Sequence, residues 1–315
     1  MLRSVLGYVM APMRGPRRGV AGLALATATL GLASTLALAQ SPAATAPAKP
    51  TAAAKAAKPA QRPAAGTYRP VVEARAMALL REMSAKLASA KSLSFTAIVG
   101  YEYPSKLGPP IVYTTRYDVT LQRPDKLRIL MPGDGPASEF YYDGKSMVAF
   151  APAQNLAAVA DAPPTIDAAL AAAYRTASIF FPFTDLLLAD PYAALSDGVV
   201  TAFVIGPSTI VGGTKTDMVA WANNDVHLQV WLGAEDRLPR RVRATYRADK
   251  LGLRHEMELT NWQLDANVPA DAFVSAQAQS AGRMAFAAPA PPPKGVKPIV
   301  KGAAAKPAPD GAKAK

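Results

Sequence analysis

The sequence predicts a mainly β, α+β fold: a curled antiparallel sheet, an unclosed half-barrel, covered by helices. Three observations carry this expectation. From Leu93 onward, apolar positions recur at every second residue through a series of short runs. The connections between runs are short and rich in turn residues, as in Arg123-Pro124-Asp125 and Asp143-Gly144, which makes sequential runs antiparallel neighbours. Two apolar stretches break the two-residue period, one before the strands and one among them, and both fit helices that could cover a sheet face.

Residues 72–90 predict the leading helix, because Val72, Ala76, Leu79, Leu80, Met83 and Leu87 recur at helical spacing while Arg75, Arg81, Glu82 and Lys86 fall elsewhere on the wheel. In the run that follows, Leu93, Phe95, Ala97, Val99, Tyr101 and Tyr103 share one face. The next run alternates likewise, with Ile111, Tyr113, Thr115, Tyr117, Val119 and Leu121 opposed by polar residues. Arg123-Pro124-Asp125 turns the chain, Leu127, Ile129 and Met131 start a third strand, and Asp143-Gly144 joins 140–142 to 147–150 as a hairpin. Residues 165–174 predict a helix begun by Thr165 or Asp167. A short helix is expected over 183–189, ended by Pro191. Strands resume at 199–205, 217–222, 226–232, 241–247 and 255–262, where Val226, Leu228, Val230 and Leu232 oppose His227 and Gln229. Eight to eleven strands are too many for a flat open sheet, so the sheet should curl, with the leading helix and the apolar segment 179–188 over its inner face. Such a concave face is either a filled core or an apolar ligand cavity.

The ends of the chain differ from the middle. Residues 1–70 hold nine Lys or Arg and no acid, and residues 287–315 hold six Lys and one Asp. Of the net charge of +12, +14 therefore belongs to the ends and the middle is left at −2. A basic folded surface for nucleic acid is not indicated, and no nucleic-acid partner is expected. Arg14, Arg17 and Arg18 precede an uncharged stretch at 19–36 and then Ala37-Leu38-Ala39, the order of a secretory signal peptide cleaved after Ala39. The rival reading is a retained anchor, since 19–41 is just long enough to span a bilayer. Export places the mature chain in the periplasm. Residues 40–70 form an Ala/Pro/Lys linker and 279–315 a similar tail, both too poor in bulky apolar residues to fold. They serve as solubilising spacers, or as basic arms making peripheral contact with an anionic membrane surface. The folded domain is expected over 71–278.

Several chemistries fall away. With no cysteine there are no disulfides, thiol nucleophiles or thiolate metal sites, and no cofactor is expected. Gly144-Lys145-Ser146 resembles the end of a phosphate loop, but Glu139 stands where that pattern needs glycine. His227 and His255 lie on predicted strands, where the sequence neighbours Glu256 and His255 point to opposite faces. Neither G-x-S-x-G nor H-E-x-x-H occurs. Arg240, Arg241, Arg243, Arg247 and Arg254 cluster late in the chain, either paired across strands with Glu256 and Glu258 or forming a contact surface for an anionic partner.

Four phrases, Arg123-Pro124-Asp125-Lys126-Leu127-Arg128, Phe140-Tyr141-Tyr142-Asp143-Gly144-Lys145, PFTDLLLADPYAAL at 182–195 and Leu238-Pro239-Arg240-Arg241, occur in an order and spacing that resembles a bacterial family of predicted periplasmic proteins, domain of unknown function family 2092, over about 73–276. That family is similar to the LolA and LolB lipoprotein carriers and receptors and to the RseB-type envelope-stress regulators. The resemblance implies a LolA-like half-barrel that holds acyl chains or a peptide, and it brings no catalytic residues. On this reading the chain is a non-enzymatic periplasmic binding protein for a lipid or an acylated or apolar protein segment. The cavity wall would comprise Phe95, Val99 and Tyr101 with Tyr113 and Tyr117 on the first two strands, then Ile129, Val230 and Tyr246. Phe181, Phe183 and Leu187 would belong to a cover at 179–188. The alternative is an envelope sensor or scaffold that binds another envelope protein.

Overall fold

The structure, a computed structural model, describes residues 70–133 and 136–288. The expected signal peptide and the linker at 40–70 lie outside those residues apart from Pro70, as does the tail beyond 288. Helix α1 (Ala74–Ser89) comes first, and its buried stripe includes Ala76, Leu79, Leu80, Met83 and Leu87, as their spacing predicts, whereas Val72 lies before the helix, exposed, and bridges to Ala202. Strands β1 (Ser92–Tyr103), β2 (Ile111–Gln122), β3 (Lys126–Met131), β4 (Ser138–Tyr142), β5 (Ser146–Ala151) and β6 (Leu156–Asp161) then run as an antiparallel meander. Helices α2 (Ile166–Ala177), α3 (Thr184–Leu187) and α4 (Pro191–Ser196) follow. The second meander is β7 (Thr201–Ser208), β8 (Thr216–Ala222), β9 (Val226–Gly233), β10 (Pro239–Tyr246) and β11 (Arg254–Leu264). The described chain ends with α5 (Ala276–Ser280) and β12 (Gly282–Met284).

All twelve strands join one sheet, in the order β12-β6-β5-β4-β3-β2-β1-β11-β10-β9-β8-β7. β1 and β11 sit side by side in its middle, so the first meander spreads from the centre to one margin and the second returns from the opposite margin. The segment between β6 and β7 must therefore carry the chain from margin to margin. It does so as α2, α3 and α4, and the apolar faces of these helices join the same buried cluster as the inner face of the sheet. Topology thus places the cover where the sequence pattern puts the apolar stretch.

Three local outcomes differ from expectation, each for a physical reason. Pro191 does not end a helix but opens α4, where its missing N–H is no loss, and Asp190 caps that helix by accepting from the Ala193 N–H at 2.9 Å. Strand β6 is rich in alanine, which gives no two-residue signal, yet it pairs with β5 along its length. The boundary expected at 278 falls inside α5, and β12 adds to the margin of the sheet as a parallel partner of β6. Phe273, fully buried, anchors this C-terminal segment, and Ala278 and Ala281 pack on Phe150 and Ala157 in a small second cluster.

Candidate functional site

Cross-strand register fixes the inner face. On β1 and β2 the opposed pairs are Leu93 with Leu121, Phe95 with Val119, Ala97 with Tyr117, Val99 with Thr115 and Tyr101 with Tyr113. On the other side Val99 opposes Met257 and Tyr101 opposes His255, and the row continues through Ala244 and Leu228 to Trp221. Onto this face the cover inserts aromatic rings. Phe183 meets Phe95 edge-on at 5.4 Å and Tyr117 at 5.2 Å, stacks on Phe181 at 6.0 Å, and Phe181 meets Phe140 at 5.4 Å. Offset and edge-on contacts of this kind add to the area each ring removes from water. Leu187 is fully buried in the same cluster.

The cover's backbone is held at one end by a polar clasp. The Arg123 guanidinium donates to the Leu187 and Leu188 carbonyls at 3.1 and 3.0 Å, and to the Leu87 carbonyl of α1 at 3.4 Å. Asp167, in the first turn of α2, accepts from the Ala189 N–H with both oxygens at 3.1 and 3.2 Å. Arg123 is the first residue of the turn between β2 and β3, and its peptide bond to Pro124 is cis. Burial lowers its pKa, against the opposing field of Asp167. One side chain thus fastens sheet, leading helix and cover at a single corner.

Away from that corner the face opens. Val99 is buried, but Tyr101 is 37% exposed and Tyr113 47%. Their rings stack at 5.6 Å, with Tyr103 edge-on to Tyr113 at 6.0 Å. β3 pairs with β2 only from Asp118 onward, so among the described residues no strand pairs with 111–117 on that side. Between this open end and the packed cover lie Tyr246 and His255, whose rings meet edge-on at 5.1 Å. Burial lowers the His255 pKa, while burial and the charge of Asp185 push the Tyr246 hydroxyl up to about 12. Asp185 itself sits in α3, only 7% exposed, and its Oδ1 accepts no hydrogen bond. Desolvation pushes its carboxyl up to about 7.

A family model described as a predicted periplasmic protein (DUF2092) matches residues 76–287, two-thirds of the sequence. The chain belongs to that family. No curated protein matches this DUF2092 member. Among solved structures it is similar to the MucA/MucB complex of Pseudomonas aeruginosa, at 15% identity and a TM-score of 0.39 over 65% of this chain and 62% of that one. It is also similar to the Mycobacterium tuberculosis lipoprotein LppX (13%, 0.38, covering 62% and 98%) and to a LolA superfamily protein from Nitrosomonas europaea (10%, 0.32, covering 64% and 97%). The chain thus spans less than two-thirds of the MucB-containing structure, and these likenesses concern the fold alone.

Within the DUF2092 domain, the residues singled out by sequence divide in two. Phe95, Val99, Ile129, Phe181, Phe183, Leu187 and Val230 are buried against one another or their neighbours in one core, and Tyr117 and Tyr246 pack at its border. Tyr101 and Tyr113 stand at the open end. His227 is exposed on the outer face of β9 while His255 faces inward from β11, so the two histidines do not meet. Among the described residues no three His, Asp or Glu side chains gather as a metal site. Of the late arginines, two pair across strands with the expected acids, Arg241 at 3.0 Å from Glu256 and 3.5 Å from Glu258 and Arg243 at 3.7 Å from Glu256, while Arg254 pairs instead with Glu102 of β1 and Arg240 with Asp236 four residues before it.

Two features escaped sequence reasoning. Asp185 reads as a polar interruption of an apolar run, and nothing local says it is buried. The outer face carries a polar cleft of about 520 Å³ lined by Ser94, Thr120, Arg128, Asn267 and Asp271, beside a smaller one of about 150 Å³ at Tyr141, Phe273 and Arg283. Both form because the chain after β11 folds back over β1 to β6, a return that only tertiary structure reveals.

Proposed function

We propose that the chain is a non-enzymatic periplasmic binding protein that takes an acyl chain, or an apolar segment of a lipoprotein, onto the concave face, with 179–188 as a displaceable cover. The observation that carries this reading is the nature of the closure. The cover fills the concave face with apolar side chains, while its polar fastening lies at its two ends, the Ile179 N–H on the Ala173 carbonyl of α2 and the clasp at Leu187–Ala189. The energetics favour exchange. Phe181, Phe183, Leu186 and Leu187 gain roughly 1.5–3 kcal/mol each from burial, and a guest chain gains about 0.8 kcal/mol per methylene. A guest of ten or more methylenes therefore matches what the cover gives up, so occupied and empty states lie close in free energy.

Native mass spectrometry of protein purified from the cell envelope tests this. Adducts of lipid mass are expected, and they should be lost in a Leu187→Asp variant shown to be folded by circular dichroism. Envelope-derived protein that carries no adduct and takes up none from added lipid overturns the reading.

One observation supports a second reading, an envelope sensor or scaffold. The unpartnered edge at 111–117, with Val112 and Tyr113 exposed, could receive an extended strand of another envelope protein. Pull-down from envelope extract separates the two readings, since a stoichiometric protein partner without lipid favours the second.

A further inference from the structure

Asp185 is the one acidic side chain inside the cover, and among the described residues its Oδ1 has no hydrogen-bond donor. Its immediate neighbour Thr184 is satisfied locally, donating to the Phe181 carbonyl at 2.7 Å, whereas Asp185 Oδ1 is buried without a donor. An apolar residue would close the sheet without that cost, because an isolated buried carboxylate is among the least favourable groups a core can hold. Such a group is explained if a donor or a cation arrives with the ligand.

The neighbouring side chains indicate which. Asp185 follows two residues after Phe183, whose ring packs 5.2 Å from Tyr117 on the inner face that also carries Tyr101 and Tyr113, and its charge helps raise the Tyr246 pKa. The Tyr246 ring meets His255, His255 opposes Tyr101 across β11 and β1, and Tyr101 stacks on Tyr113 at the open end. A strip of rings therefore leads from solvent to a buried carboxylate. Ring faces attract cations, and a lone carboxylate supplies the counter-charge. A hard metal ion would need several oxygen ligands, and a single carboxylate does not provide them. Asp185 also lies only two residues from the clasp at 187–189. Displacing the cover's apolar side chains would vacate the sheet beside Phe95 and Tyr117, while the clasp two residues on keeps the Asp185 backbone tethered at its corner.

We propose that the strip formed by Asp185, Tyr246, Tyr101 and Tyr113 is a head-group site for an ammonium, and that the guest of the concave face is an amphiphile with a cationic amine or quaternary ammonium head. This rests on the carrier reading above and narrows it to one ligand class. The groups facing Asp185 bear on its pH behaviour. α1 contributes apolar Leu79, Leu80 and Met83 to the shared core, and its Arg81 donates to Tyr192 of α4; α2 contributes Asp167 at the clasp, the β2–β3 turn contributes the Arg123 guanidinium on the Leu187 and Leu188 carbonyls, and the sheet contributes Tyr246 and, beyond it, His255. Below neutrality Asp185 loses its charge and His255 gains one, and both changes oppose ammonium binding.

The test compares three probes with the same twelve-carbon chain, below their micelle concentrations, on the full chain: dodecyltrimethylammonium, dodecyl maltoside and dodecyl sulfate. Tetramethylammonium serves as the head alone. The quaternary head does not titrate, so any pH effect belongs to the protein, and tryptophan fluorescence, to which Trp262, packed 4.5 Å from Phe95, contributes with Trp221 and Trp231, gives the readout. At pH 8 the cationic probe should bind at least ten-fold tighter than the neutral one, and tetramethylammonium only weakly. The preference should fall towards one at pH 5. In Asp185→Asn it should be near one at pH 8, which separates the carboxylate from His255. If all three chains bind with no cationic preference, or if the preference survives in Asp185→Asn, the head-group site is wrong and the carrier reading stands. If no chain binds, the carrier reading fails and this inference falls with it. Tight binding of tetramethylammonium alone would make the ligand a free amine and overturn the amphiphile.

Discussion

Arg123 donates to carbonyls of α1 and of the cover, so truncating it leaves three acceptors unsatisfied at a corner where sheet, helix and cover meet. Hydrogen bonds from charged donors contribute about 1.5–3 kcal/mol each, and orphaned buried acceptors add a cost of their own. Arg123→Ala should therefore lower unfolding stability in urea by about 3 kcal/mol and speed proteolysis within 179–190. Asp185 acts in the opposite sense. Its folded-state pKa is raised from 3.8 to about 7, so between those values the folded chain binds more protons than the unfolded one. Stability is then highest in acid and falls as pH rises towards 7, by on the order of 4 kcal/mol in total. Asp185→Asn should abolish most of that slope and raise the thermal midpoint at pH 8 more than at pH 5, as calorimetry at the two pH values would show. A wild-type midpoint that does not drop between pH 5 and pH 8 would mean that the carboxylate finds a partner in solution.

Register was legible at the scale of the element, and interruptions of register were not. The alternation in β1 and β2 places Phe95, Val99, Tyr101, Tyr113 and Tyr117 on one face, and the observed pairing keeps them there. In β11 the same reading carries Met257 and Leu259 inward but would then turn Trp262 outward. The structure inserts Asn261 as an extra residue opposite β1, in the left-handed region at φ 57°, and the shift returns Trp262 to the inner face beside Phe95. Asparagine tolerates that conformation and β-branched residues do not. Asn261→Val should cost about 1–2 kcal/mol and Asn261→Gly close to nothing, with Trp262 fluorescence reporting whether the indole keeps its place. The Asp143-Gly144 hairpin was more explicit. Gly144 has φ 87°, and although burial pushes the Asp143 carboxyl up, the N–H groups of Lys145 and Ser146, at 2.9 and 2.7 Å, hold it below its ordinary value. Alanine-rich β6 and the returning segment after β11 left no comparable trace, because their positions depend on what they pack against.

Across the whole molecule, Leu93 and Leu264 pair in the middle of the sheet although most of the chain lies between them, so the sheet is complete only when both meanders are in place. Formation should be slow and cooperative as a result. Phe273 holds the final segment against β3 to β6, and Phe273→Ala should cost about 3 kcal/mol while exposing the amides of β6 and β12 to faster hydrogen exchange. At the other margin, Val71 and Glu73 bond to Ala202 of β7, so β7 is sheathed by chain near the first described residues as β6 is by β12 near the last. The described residues thus enter the fold beside β7 but leave it beside α2, where Phe286 packs on the main core and the Ala288 N–H donates to the Thr176 carbonyl at 2.8 Å. Tension at the first end would be taken up as unzipping at a rim, whereas tension at the second would load the last turn of α2, from which the cover sets out.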